Sequence, residues 1–311
     1  MMALIPVMQR FAQGRLLFDG GMGSMLIGHG LATGWPPEEW NASRPDVVAG
    51  VHRAYLEAGA EVLETNTFGA TPGRLAAHGL ADDARALNAA AMRLAREALA
   101  AYESHSPANP LRFVAFSMGP CGKMFPPVGS TDQAEIRVEF REQLSAVSTA
   151  VGPDLVLVET MLDLREALIA LEVSKNTVDL PVAVSLTYNR NPRGFFTVMG
   201  DEASAATKQL EAAGADVIGA NCSISSRDML DLAKLLKDST SLPVLCQPNA
   251  GNPGVQDGMP VYEQTAQEFA GHALELLDLG VEAVGGCCGT TPEFIHRVSD
   301  ALGPRRGDAR G

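Results

Sequence analysis

The sequence predicts an α/β chain folded as a (β/α)8 TIM barrel, and three observations carry the prediction. Eight short apolar runs recur along the 311 residues, and the stretches between them carry helical spacing. A junction of glycine, Ala or Val, an acid and an apolar run also appears three times, as GAEVLET, GADVIGAN and GVEAVGG. The apolar runs occupy 16–19 (LLFD), 62–68 (VLETNTF), 113–120 (FVAFSMGP) and 155–160 (LVLVET). Four more follow at 182–188 (VAVSLTY), 217–222 (VIGANC), 244–249 (VLCQPN) and 283–288 (AVGGCC). Continuous rather than alternating apolar character marks strands buried on both faces, as in a parallel sheet covered by helices. Helical segments at 46–58, 203–213 and 268–279 run up to Gly59, Gly214 and Gly280, the residue type that most readily ends a helix. Eight strands alternating with helices select a closed barrel over an open sheet. A barrel of about 250 residues plus decorations accounts for the length. No linker or shift in composition divides the chain, so 1–311 reads as a single domain with its core at about 14–302. An inserted loop is expected at 33–45, and a frayed tail after Leu302.

Composition narrows the partners. Hydrophobic residues make up 46% and charged residues 20%, enough for a large core without extended disorder. Twenty-four Lys and Arg against 37 Asp and Glu leave a net charge of −13. Such a surface repels phosphate backbones, so nucleic acid is not expected as a partner. The opening MMALIPVMQRFAQGR has no basic residue ahead of its short apolar run and does not read as a leader. The other apolar runs are strand-sized, far below the ~20 residues of a membrane span. Five cysteines, an odd number in a large chain, argue against a disulfide framework and for a reducing cytoplasm.

In this fold chemistry sits on loops at the C-terminal ends of the strands. Those ends carry Asp19 with the glycine turn Gly20, Gly21, Met22, Gly23 and Ser24, then Glu64, Asn66 and Thr67. Further round come Ser117, Cys121, Glu159, Asn221, Cys222 and Asn249, and finally Cys287 with Cys288. The trio Cys222, Cys287 and Cys288 ends the sixth and eighth strands and does not form the local ligand pairs of a zinc finger. Three thiolates with an open fourth position fit a catalytic zinc site, because a closed structural site takes four protein ligands. Such a site can accept a substrate thiol and favour its deprotonation. Adjacent cysteines are also poor disulfide partners. Plainer readings hold for Cys246, inside a strand, and Cys121, in a turn, which read as packing residues. The glycine turn is either a tight turn or a set of anion-receiving N–H groups, and it lacks dinucleotide and P-loop spacing. Glu159 reads as an ammonium partner or a structural salt bridge. Thr291 and Pro292 read as the N-cap and first residue of a final helix. The six histidines have no ligand spacing. Lys175, Lys208, Lys234 and Lys237 fall in helical segments and Lys123 beyond the third strand, which argues against a Schiff-base aldolase.

DGGMGSML, RPDVVAGVHRAYLEAGAEVLETNTFGAT, LVLVET, GANC, QPNAG and GGCCGTTPEFI occur in that order from about residue 14 to 301. This succession resembles the homocysteine S-methyltransferase family, and within it the homocysteine-binding barrel of cobalamin-dependent methionine synthases. The resemblance implies one zinc ion per chain held by Cys222, Cys287 and Cys288. The side-chain oxygen of Asn249 would take the fourth position until a substrate thiol replaces it. Glu159 would bind the homocysteine amino group, and Gly21, Met22, Gly23 and Ser24 its carboxylate. Asp19 would lie beside the pocket, and Asn66 among the substrate contacts. The implied reaction is methylation of homocysteine, or a related small thiol, to give methionine. The sequence holds no DxHxxG corrinoid motif, so no corrinoid is expected on this chain. A methyl-corrinoid protein docking over 33–45 and 223–228 is the expected donor. A sulfonium or betaine donor is the alternative, as is a non-catalytic zinc- or thiol-binding subunit. GANCSISSRDML departs from the small-Gly-Pro continuation usual in the family after the zinc cysteine, which leaves room for a different thiol.

Overall fold

In a computed structural model the described residues are 6–105, 112–147, 152–256 and 259–303. Eight parallel strands form the barrel: β1 (Leu16–Leu17), β2 (Val62–Glu64), β3 (Phe113–Met118), β4 (Leu155–Met161), β5 (Val182–Leu186), β6 (Val217–Ser225), β7 (Val244–Asn249) and β8 (Ala283–Val284). They pair in the order β1-β8-β7-β6-β5-β4-β3-β2, and a parallel bridge between Phe18 and Val62 returns the ring to β1. The helices α1 (Pro45–Glu57), α2 (Ala84–His105), α3 (Gln133–Leu144) and α4 (Leu164–Thr177) follow the first four strands in turn. The helices α5 (Ala203–Ala212), α6 (Ser226–Ser239), α7 (Ala266–Asp278) and α8 (Pro292–Leu302) follow the last four. The (β/α)8 prediction holds, and β7 matches its expected span. Other strand ends move. The second is shorter than 62–68, because Thr65 and Thr67 close a turn there, with Thr67 N–H donating to Thr65 O at 2.8 Å. The segment 33–45 is not plain loop: it contains a 3₁₀ turn (Pro37–Glu39) and a short helix (Trp40–Ser43). No loop exists at 223–228 either, since β6 runs to Ser225 and α6 starts at Ser226. The tail beyond 303 lies outside the described residues.

Inward-facing positions recur every second residue of a strand. At the N-terminal half of the barrel they are apolar: Leu16, Phe18, Val62, Phe113, Ala115, Leu155, Leu157, Ala183, Val217, Leu245 and Ala283 pack as one cluster. Val7 and Phe11 of an N-terminal helix (Pro6–Ala12) join that cluster and plug its floor. Two residues further along, the same period reaches Glu64, Ser117, Glu159, Ser185 and Gln247, and four residues along it reaches Asn221 and Cys287. The interior therefore turns polar at the C-terminal end, where the site must lie.

The repeated junction has a physical cause. Glu61, Asp154, Asp216 and Glu282 each precede an even-numbered strand, and each grips one residue of the preceding odd-numbered strand twice. Their backbone N–H groups donate to the carbonyls of Leu17, Val114, Val182 and Val244 at 2.7–3.1 Å. Their carboxylates accept the N–H of the same four residues at 2.6–3.2 Å. Arg10, Arg96, Lys175 and Lys237 ion-pair with the four acids in turn. The glycine before the junction supplies positive φ past the helix end, +100° at Gly59, +93° at Gly214 and +92° at Gly280.

Candidate metal and substrate site

Cys222, Cys287 and Cys288 come together at the rim with their sulfurs within 4.8 Å of one another; Cys222 Sγ and Cys288 Sγ are 4.0 Å apart. Period-two alternation alone would turn Cys222 away from Asn221. Left-handed backbone at Cys222 (φ +61°) and Ser223 (φ +57°) breaks the alternation, and the β6–β7 register shifts between Asn221 and Ser225. Both side chains then reach the mouth. Thr160 does the same after Glu159, at φ +56°. Past the end of β8, Cys287 is fixed by its N–H to Pro248 O at 2.9 Å. Gly20 and Gly21 must be glycine here, because a Cβ on Gly21 would come within 2.8 Å of Cys287 O and one on Gly20 within 2.7 Å of Thr290 Oγ1.

The three thiols share protons unequally. Hydrogen bonds from Cys287 and Cys288 pull the Cys222 thiol down to about 3. The hydrogen bond to Cys222 pushes Cys288 up to about 11 and Cys287 well up. Among the described residues lining the cavity the basic ones are Arg74 and His78. A bound cation would satisfy all three sulfurs. Asn249 adds a second sign: it is buried, its side chain hydrogen-bonds Cys222, and its Oδ1 has no hydrogen-bond partner. Three thiols and one orphaned amide oxygen fit the tetrahedral preference of zinc.

Beside the thiols lies a carboxyl group on an organised mount. Glu159 accepts hydrogen bonds from Ser117 Oγ and, at 3.1 Å, from Asn221 Nδ2. Asn221 in turn accepts Thr160 N–H and Ser185 Oγ–H on Oδ1, each at 2.8 Å, and its Nδ2 lies 3.7 Å from Cys287 Sγ. Burial pushes Glu159 up to about 7. Burial likewise raises Glu64, which accepts from Gln247 Nε2, and Asp19, whose Oδ2 takes the Glu64 N–H at 3.0 Å. Three buried carboxyl groups without a basic side chain among them make this part of the mouth receptive to an ammonium ion.

The cavity over these groups has a volume of about 450 Å3 and reaches outward past Trp35, Pro36 and Pro37. Gly21, Met22, Gly23, Ser24, Asn66, Glu159 and all three cysteines line it. The expected glycine turn is the start of a helix (Met22–Gly28) capped by Gly21. Gly21 N–H is already taken by Thr290 Oγ1 at 3.1 Å, which leaves the first-turn N–H groups of 22–24 without intrahelical partners. Asn66 uses its amide to hold the 33–45 segment, donating to Pro37 O at 2.8 Å and Asn41 Oδ1 at 2.9 Å. Asp19 sits behind the wall, buried, with Oδ1 unpartnered. Cys121 and Cys246 are buried packing residues, as expected. Thr291 caps α8 by position but makes no side-chain cap bond. The sequence reading named Glu64 and Asn221 at the rim without giving them a role, and it missed Thr160, Gln247 and Thr290. The period-two rule carried forward from the apolar Val62, Val217 and Leu245 picks out Glu64, Asn221 and Gln247; Thr160 and Thr290 depend on local turns.

Fold and site together define a barrel with a cation-ready trithiol centre beside buried carboxyl groups at its C-terminal mouth. The family model for homocysteine S-methyltransferase matches residues 16–302, and the chain belongs to that family. It is 33% identical to the methionine synthase of Mycobacterium leprae over 95% of this chain, and 35% identical to that of Mycobacterium tuberculosis over 84%. It spans about a quarter of the length of these relatives, 25% and 22%. Among solved structures, the metallated form of the homocysteine methyltransferase MmuM from Escherichia coli superposes with a TM-score of 0.78 at 25% identity, covering 92% of this chain and 96% of that one.

Proposed function

We propose that this barrel binds one zinc ion through Cys222, Cys287 and Cys288 and methylates homocysteine on sulfur to give methionine. The observation that carries the reading is the convergence of three thiols at the mouth with the orphaned Asn249 Oδ1 beside Cys222. Zinc held there would supply a Lewis acid that keeps a substrate thiol deprotonated at neutral pH. The residues around it orient the substrate. Glu159, fixed by Ser117 and Asn221, takes the ammonium group, with the Glu64 carboxyl as a further oxygen acceptor beside it. The open N–H groups of 22–24 receive the carboxylate. The substrate sulfur then faces the mouth, where it attacks the methyl carbon; the S–C bond forms as the donor–carbon bond breaks, and the donor keeps the electron pair. Holding both partners in line is worth several kcal/mol, roughly 7 or more in well-aligned cases.

A macromolecular donor, a methyl-corrinoid protein, fits the rim better than a small sulfonium or betaine. Large apolar side chains stand exposed there: Trp35 after β1, Met124 and Val128 after β3, Val198 and Met199 after β5. Exposed apolar residues on one barrel face favour protein contact. The 33–45 segment remains part of that surface, and 223–228 drops out of it as a loop.

Elemental analysis of the purified chain should give close to one zinc per chain, lost on Cys287→Ala. A donor panel should then show loss of the methyl–cobalt absorbance only with zinc and homocysteine both present. Rapid turnover of S-methylmethionine alone would reassign the donor; equal zinc in wild type and variant would remove the metal reading. Glu159→Gln should weaken homocysteine about tenfold or more while barely affecting a thiol without an amino group.

A further inference from the structure

The hairpin between β7 and α7, Pro253–Gln256 paired antiparallel with Met259–Tyr262, ends against the cysteine pair. The ring of Tyr262 lies on Gly289, where a Cβ would come within 2.3 Å of the ring Cγ. Gly289 also has φ +80°, so glycine alone lets the ring approach this closely. The Tyr262 hydroxyl hydrogen-bonds Cys288 Sγ. Its backbone is fixed on both sides. Tyr262 pairs with Pro253, Gln264 N–H donates to Ala250 O at 3.2 Å, and Ala250 N–H donates to Cys288 O at 3.0 Å. Gln264 Nε2 also donates to Ser226 Oγ at 2.6 Å, at the head of α6. The backbone that places Cys288 therefore places the phenol as well.

We propose that Tyr262 is a positioning residue of the trithiol centre, its O–H donating to Cys288 Sγ and its ring closing the hairpin side to water. The inference rests on the zinc reading above. Three thiolates on a dication carry a net charge of −1, which opposes a fourth anionic sulfur. A hydrogen bond to a charged acceptor is among the stronger kinds. It draws electron density off Cys288, so the metal keeps more of its acidity for the substrate. Asn249 serves Cys222 in the same way, and Asn221 lies against Cys287; each thiol then has its own polar partner.

The test uses the full chain loaded with Co(II) in place of zinc. Tyr262→Phe keeps the ring on Gly289 and removes only the donor. The sulfur-to-cobalt charge-transfer band should move to lower energy, and the homocysteine Kd should rise about three- to tenfold, with cobalt stoichiometry unchanged. An unmoved band together with unchanged affinity overturns the proposal. So does a band that moves in Gly289→Ala, which displaces the ring, but not in Tyr262→Phe, since ring packing alone would then explain the contact. Cys287→Ala in the same series tests the underlying reading separately. Full cobalt retention there would remove the metal site itself, whereas loss of cobalt leaves the Tyr262→Phe result to decide the inference.

Discussion

At the scale of single residues, the fold holds two kinds of strain. Cys222, Ser223 and Thr160 occupy left-handed backbone that non-glycine residues avoid, at a cost on the order of 1 kcal/mol or more each. The surroundings hold them there: Asn221 is gripped from Thr160, Ser185 and Glu159 at once. The motif GANC exposed the cysteine to inspection but not the turn that aims it, because local propensity at Cys222 and Ser223 favours the opposite φ. His52 carries a different strain. It is fully buried in α1 with both ring nitrogens unpartnered, and burial lowers it from 6.5 to about 4. Between those values the unfolded chain binds the proton and the folded one does not, so this group's stabilising contribution is complete above pH 6.5 and is lost as pH falls toward 4. The difference amounts to about 3 kcal/mol. Urea unfolding at a series of pH values should show a shallower acid slope for His52→Leu than for wild type over that window; identical slopes would contradict the assignment.

At the scale of elements, the acid-and-glycine junctions explain why the barrel closes in its observed register. Four carboxylates clamp odd strands to even ones, each with a Lys or Arg from a neighbouring helix. The partly exposed Lys175–Asp216 pair contributes little by itself, so the hydrogen bond to Val182 N–H is the larger part. Asp216→Ala should lower stability by about 1–2 kcal/mol in denaturant titration, and Asp216→Asn, which keeps an acceptor, by about half as much. Three junctions were legible as a repeat. The fourth, at Gly152, Pro153 and Asp154, escaped because proline stands where the others carry Ala or Val. Strand ends were read too long at Val62–Glu64 and Ala283–Val284 for a related reason. The β-branched Thr65 and Thr67 look like strand residues but close a turn, and the glycines before Cys287 donate ladder-like bonds, Gly285 N–H to Cys246 O and Gly286 N–H to Asp19 O, outside any regular strand.

At the scale of the whole molecule, eight buried strands and intervening helices were plain in the sequence, and so were the three thiols, since their side-chain chemistry needs no geometry to be noticed. The helix Pro6–Ala12 was not; it shows its purpose when Val7 and Phe11 meet the inward strand residues, with Phe11 and Phe18 ring centroids 6.0 Å apart. That plugged floor has a consequence for traffic. The deep end of the cavity is a cul-de-sac, and everything that reacts must enter and leave past the same rim. Under the proposed reaction, a thiol seated at the trithiol centre has to arrive before a bulky donor covers the opening, and its methylated product has to wait until the spent donor departs. Last in is first out. Steady-state kinetics should accordingly show methionine competing directly with homocysteine, while the demethylated donor protein gives mixed inhibition against homocysteine; a random-order pattern would mean that a second route into the barrel exists.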